Sequence, residues 1–373
     1  MPASRLDPRT PLTELHVHLG AAVTPPIMWG IAHAQGIRLP TKDYWAFRDL
    51  ITVGRRKRSF QAYLDLFHWT ELIQSSPLAV ERSVYEVIGG AYRKNNITQL
   101  ELRFNPMKRN RGGEQDLDHI IAAAVRGMDR AVLEYPQVRA GLVFCLDRGF
   151  SRELNEIIAA KAIAWHSRGV VGIDIAGPVV DRFRFADYTD VYAECRRAGL
   201  GLTVHAGETG GPDEVRRAVE ALEPDRIGHG VRASEDAGVM GLLRERGIVL
   251  EVCPSSNLNT GVLDDLAAVR RVVRSFVDHG VRFTVSTDGP EMLRSMLRDE
   301  LKLLLRHEIL DLDEVRRAIA IGRDASFLDR APVIESSVAD RDGGGLGGGP
   351  DSGPESGSDG ADSRAAIPVE AGA

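Results

Sequence analysis

Four histidines and one aspartate lie at the ends of short apolar segments of the sequence. They are His16, His18, His205, His229 and Asp288. His16 and His18 are two residues apart, so on a β-strand both imidazoles project from the same face. Zinc binds imidazole nitrogen and carboxylate oxygen readily, and a catalytic zinc site keeps one position for water. The pattern is therefore typical of side chains that converge on a metal ion.

A further carboxyl group, Glu208, lies shortly after His205. A carboxyl group just beyond a metal ligand can exchange protons with a substrate held against the metal. Its alternative role is to cap the helix that follows, but Asp213 is better placed for that. We therefore interpret Glu208 as a proton-transfer residue. The other histidines lie in helical or loop patterns, where we expect structural roles: His33, His68, His119, His166, His279 and His307.

Short β-branched segments alternate with stretches of helical periodicity about eight times over roughly 320 residues. This alternation predicts an α/β fold, namely a (β/α)8 barrel, with a doubly wound parallel sheet as the alternative. The titratable residues above fall at the carboxyl ends of the predicted strands, where a barrel places its active site. The long connection formed by residues 20–96 predicts extra helices after the first strand.

The composition narrows the class of protein. The 373-residue chain has a formal net charge of −6, which gives no global attraction to nucleic acid. Its three cysteines are widely spaced and indicate neither disulfides nor a thiolate zinc site. No signal-peptide pattern, membrane-spanning segment or dinucleotide-binding motif is evident. We therefore expect a cytoplasmic protein with a small-molecule partner, while the oligomeric state stays open.

The composition changes near Ser336, after which Gly, Ser, Asp and Pro dominate the sequence. Such a segment has too little apolar surface to offset the entropy lost on ordering. We therefore predict a folded barrel over residues 1–335 and a disordered tail over residues 336–373.

Six motifs, taken in order, resemble the adenosine deaminase family of the metal-dependent amidohydrolase superfamily. They are ELHVHL (14–19), GIDIAG (172–177), HAGE (205–208), RIGHG (226–230), CPSSN (253–257) and STD (286–288). The resemblance implies a (β/α)8 barrel that deaminates an adenine ring with one zinc ion. The implied zinc ligands are His16, His18, His205 and Asp288.

The same resemblance implies roles for the remaining site residues. His229 and Asp288 would orient and deprotonate the attacking water, and Glu208 would protonate ring N1. Gly177 would offer its backbone N–H to purine N3, and His18 would also adjoin the substrate.

Two glycines depart from the family pattern. Typical members have an aspartate at the positions of Gly20 and Gly289, where it contacts the ribose 5′-hydroxyl and purine N7. Losing two such hydrogen bonds would weaken adenosine binding by roughly 1–3 kcal/mol, and a glycine at position 20 would leave space for a larger 5′ group.

The first candidate substrate is therefore a 5′-modified adenine nucleoside, 6-aminodeoxyfutalosine of the futalosine route to menaquinone. The STDGPEM segment also resembles the deaminases of that compound. Alternatives are adenosine in purine salvage, 5′-thio-adenosines, N6-methyl-AMP and adenine. Two further classes stay open: another amidohydrolase reaction, such as ester or amide hydrolysis, and a non-catalytic nucleoside-binding protein. Glu208 and the loop at Gly177 favour a purine ring, and the complete set of metal and proton-transfer residues favours an enzyme.

A basic run precedes three spaced aromatic residues. The run comprises Arg55, Arg56, Lys57 and Arg58, and it fits either a solvated surface or a clamp for a carboxylate or phosphate on the 5′ group. The aromatic residues Phe60, Tyr63 and Phe67 resemble the family's apolar wall beside the sugar, but their spacing fits a helix core equally well.

Overall fold

The computed structural model describes residues 6–54, 59–111 and 116–330. Its parallel strands follow one another around a barrel in sequence order. The strands are β1 (Leu12–His18), β2 (Ile97–Phe104), β3 (Arg139–Asp147), β4 (Val170–Ala176), β5 (Gly201–Ala206), β6 (Arg226–His229), β7 (Val249–Val252) and β8 (Arg282–Val285). Val17 pairs with Asp288 just beyond β8 and so joins the last strand to the first. The (β/α)8 prediction is confirmed, and the doubly wound alternative is wrong.

Helices cover the outside of the barrel. They are α1 (Leu19–Ala22), α2 (Pro25–Ala34), α3 (Tyr44–Ile51), α4 (Phe60–Ile73), α5 (Pro77–Asn95), α6 (Leu117–Glu134), α7 (Arg152–Ala164), α8 (Thr189–Arg197), α9 (Pro212–Leu222), α10 (Ala237–Arg246), α11 (Pro254–Asn259), α12 (Leu266–Asp278), α13 (Pro290–Leu293), α14 (Leu297–Arg306) and α15 (Leu312–Asp324). The helices α1 to α5 fill the long connection after β1, as predicted. None of the described helices is both long and apolar enough to cross a membrane.

Two sequence predictions fall outside the described residues. They are the disordered tail over residues 336–373 and the basic run over residues 55–58.

Local sequence signals explain where the helices begin. Ser59 caps α4 by accepting a hydrogen bond from a backbone N–H, and Asp311 forms a capping box at the start of α15. The helix α9 differs, because it starts after Gly211 without a side-chain cap. The prediction that Asp213 caps this helix is therefore wrong. Asp213 lies in the first turn, where the helix dipole favours a negative charge.

The lower end of the barrel is closed by Phe327, which follows α15. Its ring packs against the backbones of Gly172 and Gly201, where a Cβ atom would lie 2.9 and 2.1 Å from ring atoms. The guanidinium carbon of Arg226 lies 3.5 Å from the ring centroid. Phe327 is fully buried, so the two glycines are the residues that let this ring fill the barrel end.

We expect Phe327→Ala to destabilise the barrel by about 3–5 kcal/mol, because it leaves a cavity between two glycines that cannot fill it. The measurement is the free energy of unfolding in urea. Leu328→Ala is the matched control, since that neighbour is only partly buried. An equal loss for the two variants would contradict this packing account.

Candidate active site

The predicted metal ligands meet at the carboxyl end of the barrel. Nε2 of His18 lies 3.3 Å from Nε2 of His205 and 3.5 Å from Oδ1 of Asp288. Nε2 of His16 lies 3.7 Å from the same Asp288 oxygen. Ligand atoms of a tetrahedral zinc ion, each about 2.0–2.1 Å from the metal, lie roughly 3.3 Å apart. The four side chains therefore fit a single metal ion, and His229 adjoins the same cluster.

Two buried carboxylates orient two of these imidazoles. Oε2 of Glu251 lies 2.8 Å from Nδ1 of His16, and Oδ2 of Asp174 lies 3.0 Å from Nδ1 of His205. With each Nδ1 engaged by a carboxylate, each Nε2 faces the cluster. Nε2 of His16 is buried and has no hydrogen-bond partner among the described residues. A buried polar atom left in this way fits a position that a metal ion occupies.

Arg103 joins the two orienting carboxylates. Its guanidinium donates to Asp174 at 2.9 Å and to Glu251 at 2.8 Å, and all three side chains are fully buried. Burial acts to raise the pKa of Asp174, but the charges of His205 and Arg103 outweigh it and lower that pKa. Asp174 therefore stays ionised and continues to accept from the imidazole.

Three imidazoles of the cluster favour the neutral form that binds metals. Burial lowers the pKa of His16, His18 and His229 well below its ordinary value, and nearby positive charges act in the same direction.

Asp288 is fixed from several sides. Its Oδ2 accepts hydrogen bonds from the hydroxyls of Tyr63 at 3.0 Å and Ser256 at 2.6 Å. Its backbone N–H donates to the carbonyl of His16, and its own carbonyl accepts from the N–H of His18, both at 2.8 Å. Its φ of 65° lies in the left-handed region, which non-glycine residues seldom occupy. The sequence named Tyr63 only as a possible wall residue and Ser256 only as part of a motif, so their contact with Asp288 is new.

Glu208 and His229 face each other beside the cluster, with Oε1 of Glu208 3.7 Å from Nε2 of His229. The amide nitrogen of Asn257 lies 3.2 Å from Nδ1 of His229, so it can donate to that atom and leave the proton on Nε2. Burial, together with repulsion from Asp288, raises the pKa of Glu208 well above its ordinary value. The raised pKa favours the protonated form of Glu208, which is the form that can donate a proton.

A pocket of about 320 Å³ opens above the cluster. Gly177, Phe60, Tyr63 and Phe67 line it, as do Glu208 and His229. Gly177 has a φ of 94°, and a Cβ atom there would lie 2.9 Å from Oδ2 of Asp147. Glycine is the residue that this loop accommodates.

Gly20 and Gly289 lie behind aromatic residues of the pocket wall. A Cβ atom on Gly20 would lie 2.9 Å from the ring of Phe67, and one on Gly289 would lie 2.7 Å from Ala21 and 3.2 Å from the hydroxyl of Tyr63. The space beside Gly20 is therefore filled by Phe67 and not open, in contrast to the prediction from sequence. Both glycines affect the pocket through the rings packed against them.

Comparison with known proteins agrees with this geometry. A family model described as adenosine deaminase matches residues 11–336. The adenosine deaminase of Clostridium kluyveri is 29% identical over 323 residues, which cover 87% of this chain and 91% of that protein. That of Klebsiella pneumoniae strain 342 is also 29% identical over 323 residues, covering 87% and 95%.

Solved structures share the fold at lower identity. An adenine deaminase from Arthrobacter aurescens superposes with a TM-score of 0.76 at 22% identity, covering 85% of this chain and 94% of that one. An amidohydrolase from Burkholderia ambifaria with bound Zn gives 0.75 at 24%, covering 86% and 87%. The N6-mAMP deaminase of Arabidopsis gives 0.74 at 23%, covering 86% and 94%.

The family match spans nearly the whole described barrel and contains every residue of the metal-binding cluster. The protein therefore belongs to the adenosine deaminase family and is a hydrolase that acts on the C–N bond of adenine compounds.

Proposed function

We propose that this protein is a zinc-dependent enzyme that removes the 6-amino group from an adenine nucleoside modified at its 5′ position. The observation that carries the proposal is the convergence of His16, His18, His205 and Asp288 beside the neutral acid Glu208 at one pocket. The donor set of imidazole nitrogens and one carboxylate suits zinc. The related fold from Burkholderia ambifaria contains bound Zn.

The zinc ligands would be Nε2 of the three histidines and Oδ1 of Asp288. When bound, zinc supplies a water molecule acidic enough to act as a nucleophile near pH 7. Glu251 and Asp174 keep the imidazoles of His16 and His205 turned toward the ion.

The chain's own residues would carry the protons. Glu208 donates to ring N1, so that the ring accepts electrons as C6 is attacked. His229, with its proton on Nε2, would orient the attacking water, and the Asp288 carboxylate would take up the water proton and pass it to the 6-amino group, which leaves as ammonia. Hydrogen bonds from Tyr63 and Ser256 hold the Asp288 carboxylate during these steps. Gly177 would offer its backbone N–H to purine N3, and His18 borders the substrate on the other side of the pocket.

We place 6-aminodeoxyfutalosine first among the substrates, which would make the protein an enzyme of the futalosine route to menaquinone. Gly20 and Gly289 support this choice, because neither offers a side chain to hydrogen-bond adenosine. N6-methyl-AMP is the second candidate. It is favoured by the similar fold of the Arabidopsis N6-mAMP deaminase and by the arginine described in the next subsection.

The decisive test compares kcat/KM on 6-aminodeoxyfutalosine, N6-methyl-AMP, adenosine, 5′-methylthioadenosine and adenine, following loss of the adenine absorbance and release of ammonia. We expect 6-aminodeoxyfutalosine to exceed adenosine by about a hundredfold, which corresponds to about 2.7 kcal/mol. If adenosine is the best substrate, the proposed 5′ modification is wrong and the enzyme belongs to purine salvage.

Zinc dependence is tested by metal analysis of purified protein. We expect one zinc ion per chain in the wild type and substoichiometric zinc in His16→Ala, because that variant removes a ligand at the centre of the cluster. His33→Ala is the control, since this exposed histidine on α2 bonds only its own helix. Full zinc content in His16→Ala would argue against the ligand set.

Glu208→Gln should keep its zinc and fold while kcat falls by about a hundredfold or more, because an amide cannot donate the proton to N1. In the wild type, activity should decrease as pH rises through the raised pKa of Glu208, and this alkaline limb should vanish in the variant. The exposed Asp213→Asn is the matched control. Normal turnover by Glu208→Gln would remove Glu208 from the mechanism.

A further inference from the structure

One buried cation of the pocket has no role in the reaction as described. Arg109 lies in a short 3-10 helix, Met107–Arg109, just beyond β2. It lines the pocket, and only 2% of its surface is exposed. Its Nε and Nη1 atoms are buried and have no hydrogen-bond partner in the described part of the chain. Buried N–H donors at a pocket wall that have no partner among the described residues leave a position for a ligand group to accept from them.

The neighbouring charges are engaged elsewhere. Lys108 forms an ion pair with Asp147 at 2.5 Å, and the carboxylate of Glu71 lies 3.8 Å from the guanidinium of Arg111. Within the described ranges, no carboxylate lies within ion-pair distance of Arg109. Burial lowers the pKa of Arg109, and Glu71 opposes this shift from a distance. In the part of the chain that the structure describes, the buried guanidinium therefore has no counter-ion.

Two other buried arginines of this chain differ from Arg109 because they are paired with carboxylates. Arg103 lies within 3 Å of Asp174 and Glu251, and Arg226 contacts Glu101 and Glu251. Each of these two buried guanidinium groups is thus neutralised by two carboxylates. If Arg109 had only a structural role, no carboxylate among the described residues would offset the free-energy cost of burying its charge.

Gly20 and Phe67 adjoin the guanidinium of Arg109 on one side. Its Nη2 lies 3.1 Å from the position that a Cβ atom on Gly20 would take, and the ring of Phe67 occupies the same space. Gly20 is two residues beyond His18, and Phe67 packs edge-on against His18. The charge of Arg109 therefore lies beside the ring of Phe67, at the side of the pocket next to β1.

We infer that Arg109 binds an anionic group on the 5′ substituent of the substrate, so that the enzyme selects adenine nucleosides bearing a carboxylate or a phosphate beyond the ribose. The planar guanidinium presents paired N–H donors that match either oxyanion. This inference rests on the proposed function, because the adenine ring must lie at the metal cluster for the 5′ end to point away from it.

The test pairs substrates that differ only in the anion. The carboxylate pair is 6-aminodeoxyfutalosine and its methyl ester, and the phosphate pair is N6-methyl-AMP and N6-methyladenosine. In the pair that contains the natural substrate, we expect Arg109→Met to lower kcat/KM on the anionic member by about ten- to a hundredfold, mainly because KM increases. The neutral member should change less than threefold. The substrate pair that shows the larger decrease in kcat/KM tells whether the bound anion is a carboxylate or a phosphate.

Two further variants keep the test informative. Arg130→Gln removes the same charge from an exposed position on α6 that does not line the pocket, and its loss should stay below threefold on every substrate. Gly20→Asp should also reduce the preference for anionic substrates, because its carboxylate would neutralise Arg109 once the Phe67 ring shifts. Equal losses on neutral and anionic substrates in Arg109→Met, or no loss on either, would overturn the inference.

Binding of products separates this inference from the proposed reaction. Calorimetric titration with inosine 5′-monophosphate and with inosine measures the anion contact without turnover. If the wild type deaminates no adenine nucleoside but Arg109→Met still loses affinity for the phosphate alone, the proposed reaction fails and the anion site stands. If deamination is normal and neither anion depends on Arg109, the anion site fails and the proposed reaction stands.

Discussion

The site depends on one buried interaction, the guanidinium of Arg103 placed between Asp174 and Glu251. Each carboxylate in turn engages an imidazole of the metal-binding cluster, so a single residue of β2 sets the orientation of ligands on β1 and β5. Burying two carboxylates inside a barrel is unfavourable unless a positive charge accompanies them. Without that arginine, Asp174 would lose a positive charge that lowers its pKa, and the two carboxylates that direct Nε2 of His16 and His205 inward would lose their common partner.

The barrel interior contains two kinds of buried ionisable group. Arg103 and Arg226 are neutralised by carboxylates that reach across the barrel interior from other strands. Glu208 is instead placed against Asp288, so its neighbours and its burial both favour the neutral acid. Thus the same cavity favours an ionised carboxylate at Asp174, which orients a ligand, and a protonated carboxyl group at Glu208, which has a proton to donate.

Much of this could be predicted from the sequence, because the ligands and Glu208 lie at strand ends in short local motifs. The strand–helix alternation was likewise sufficient for the barrel. Arg109 was not identified, since its importance arises from Gly20, which is distant in sequence but adjacent in space. Tyr63 was ambiguous because helical spacing alone does not show that its hydroxyl reaches Asp288. The filled space beside Gly20 depends on how Phe67 packs, which no local pattern encodes.

The closure of the barrel at Asp288 has a consequence for how the protein acquires its metal. The seam between β8 and β1 is made by backbone hydrogen bonds between Asp288 and the two histidines of the first strand. A complete coordination sphere therefore forms only after nearly the entire barrel has been synthesised and its two ends have met, a contact of very high sequence separation. An ion bound there would connect the first and last strands, so that metal binding would stabilise the closed barrel.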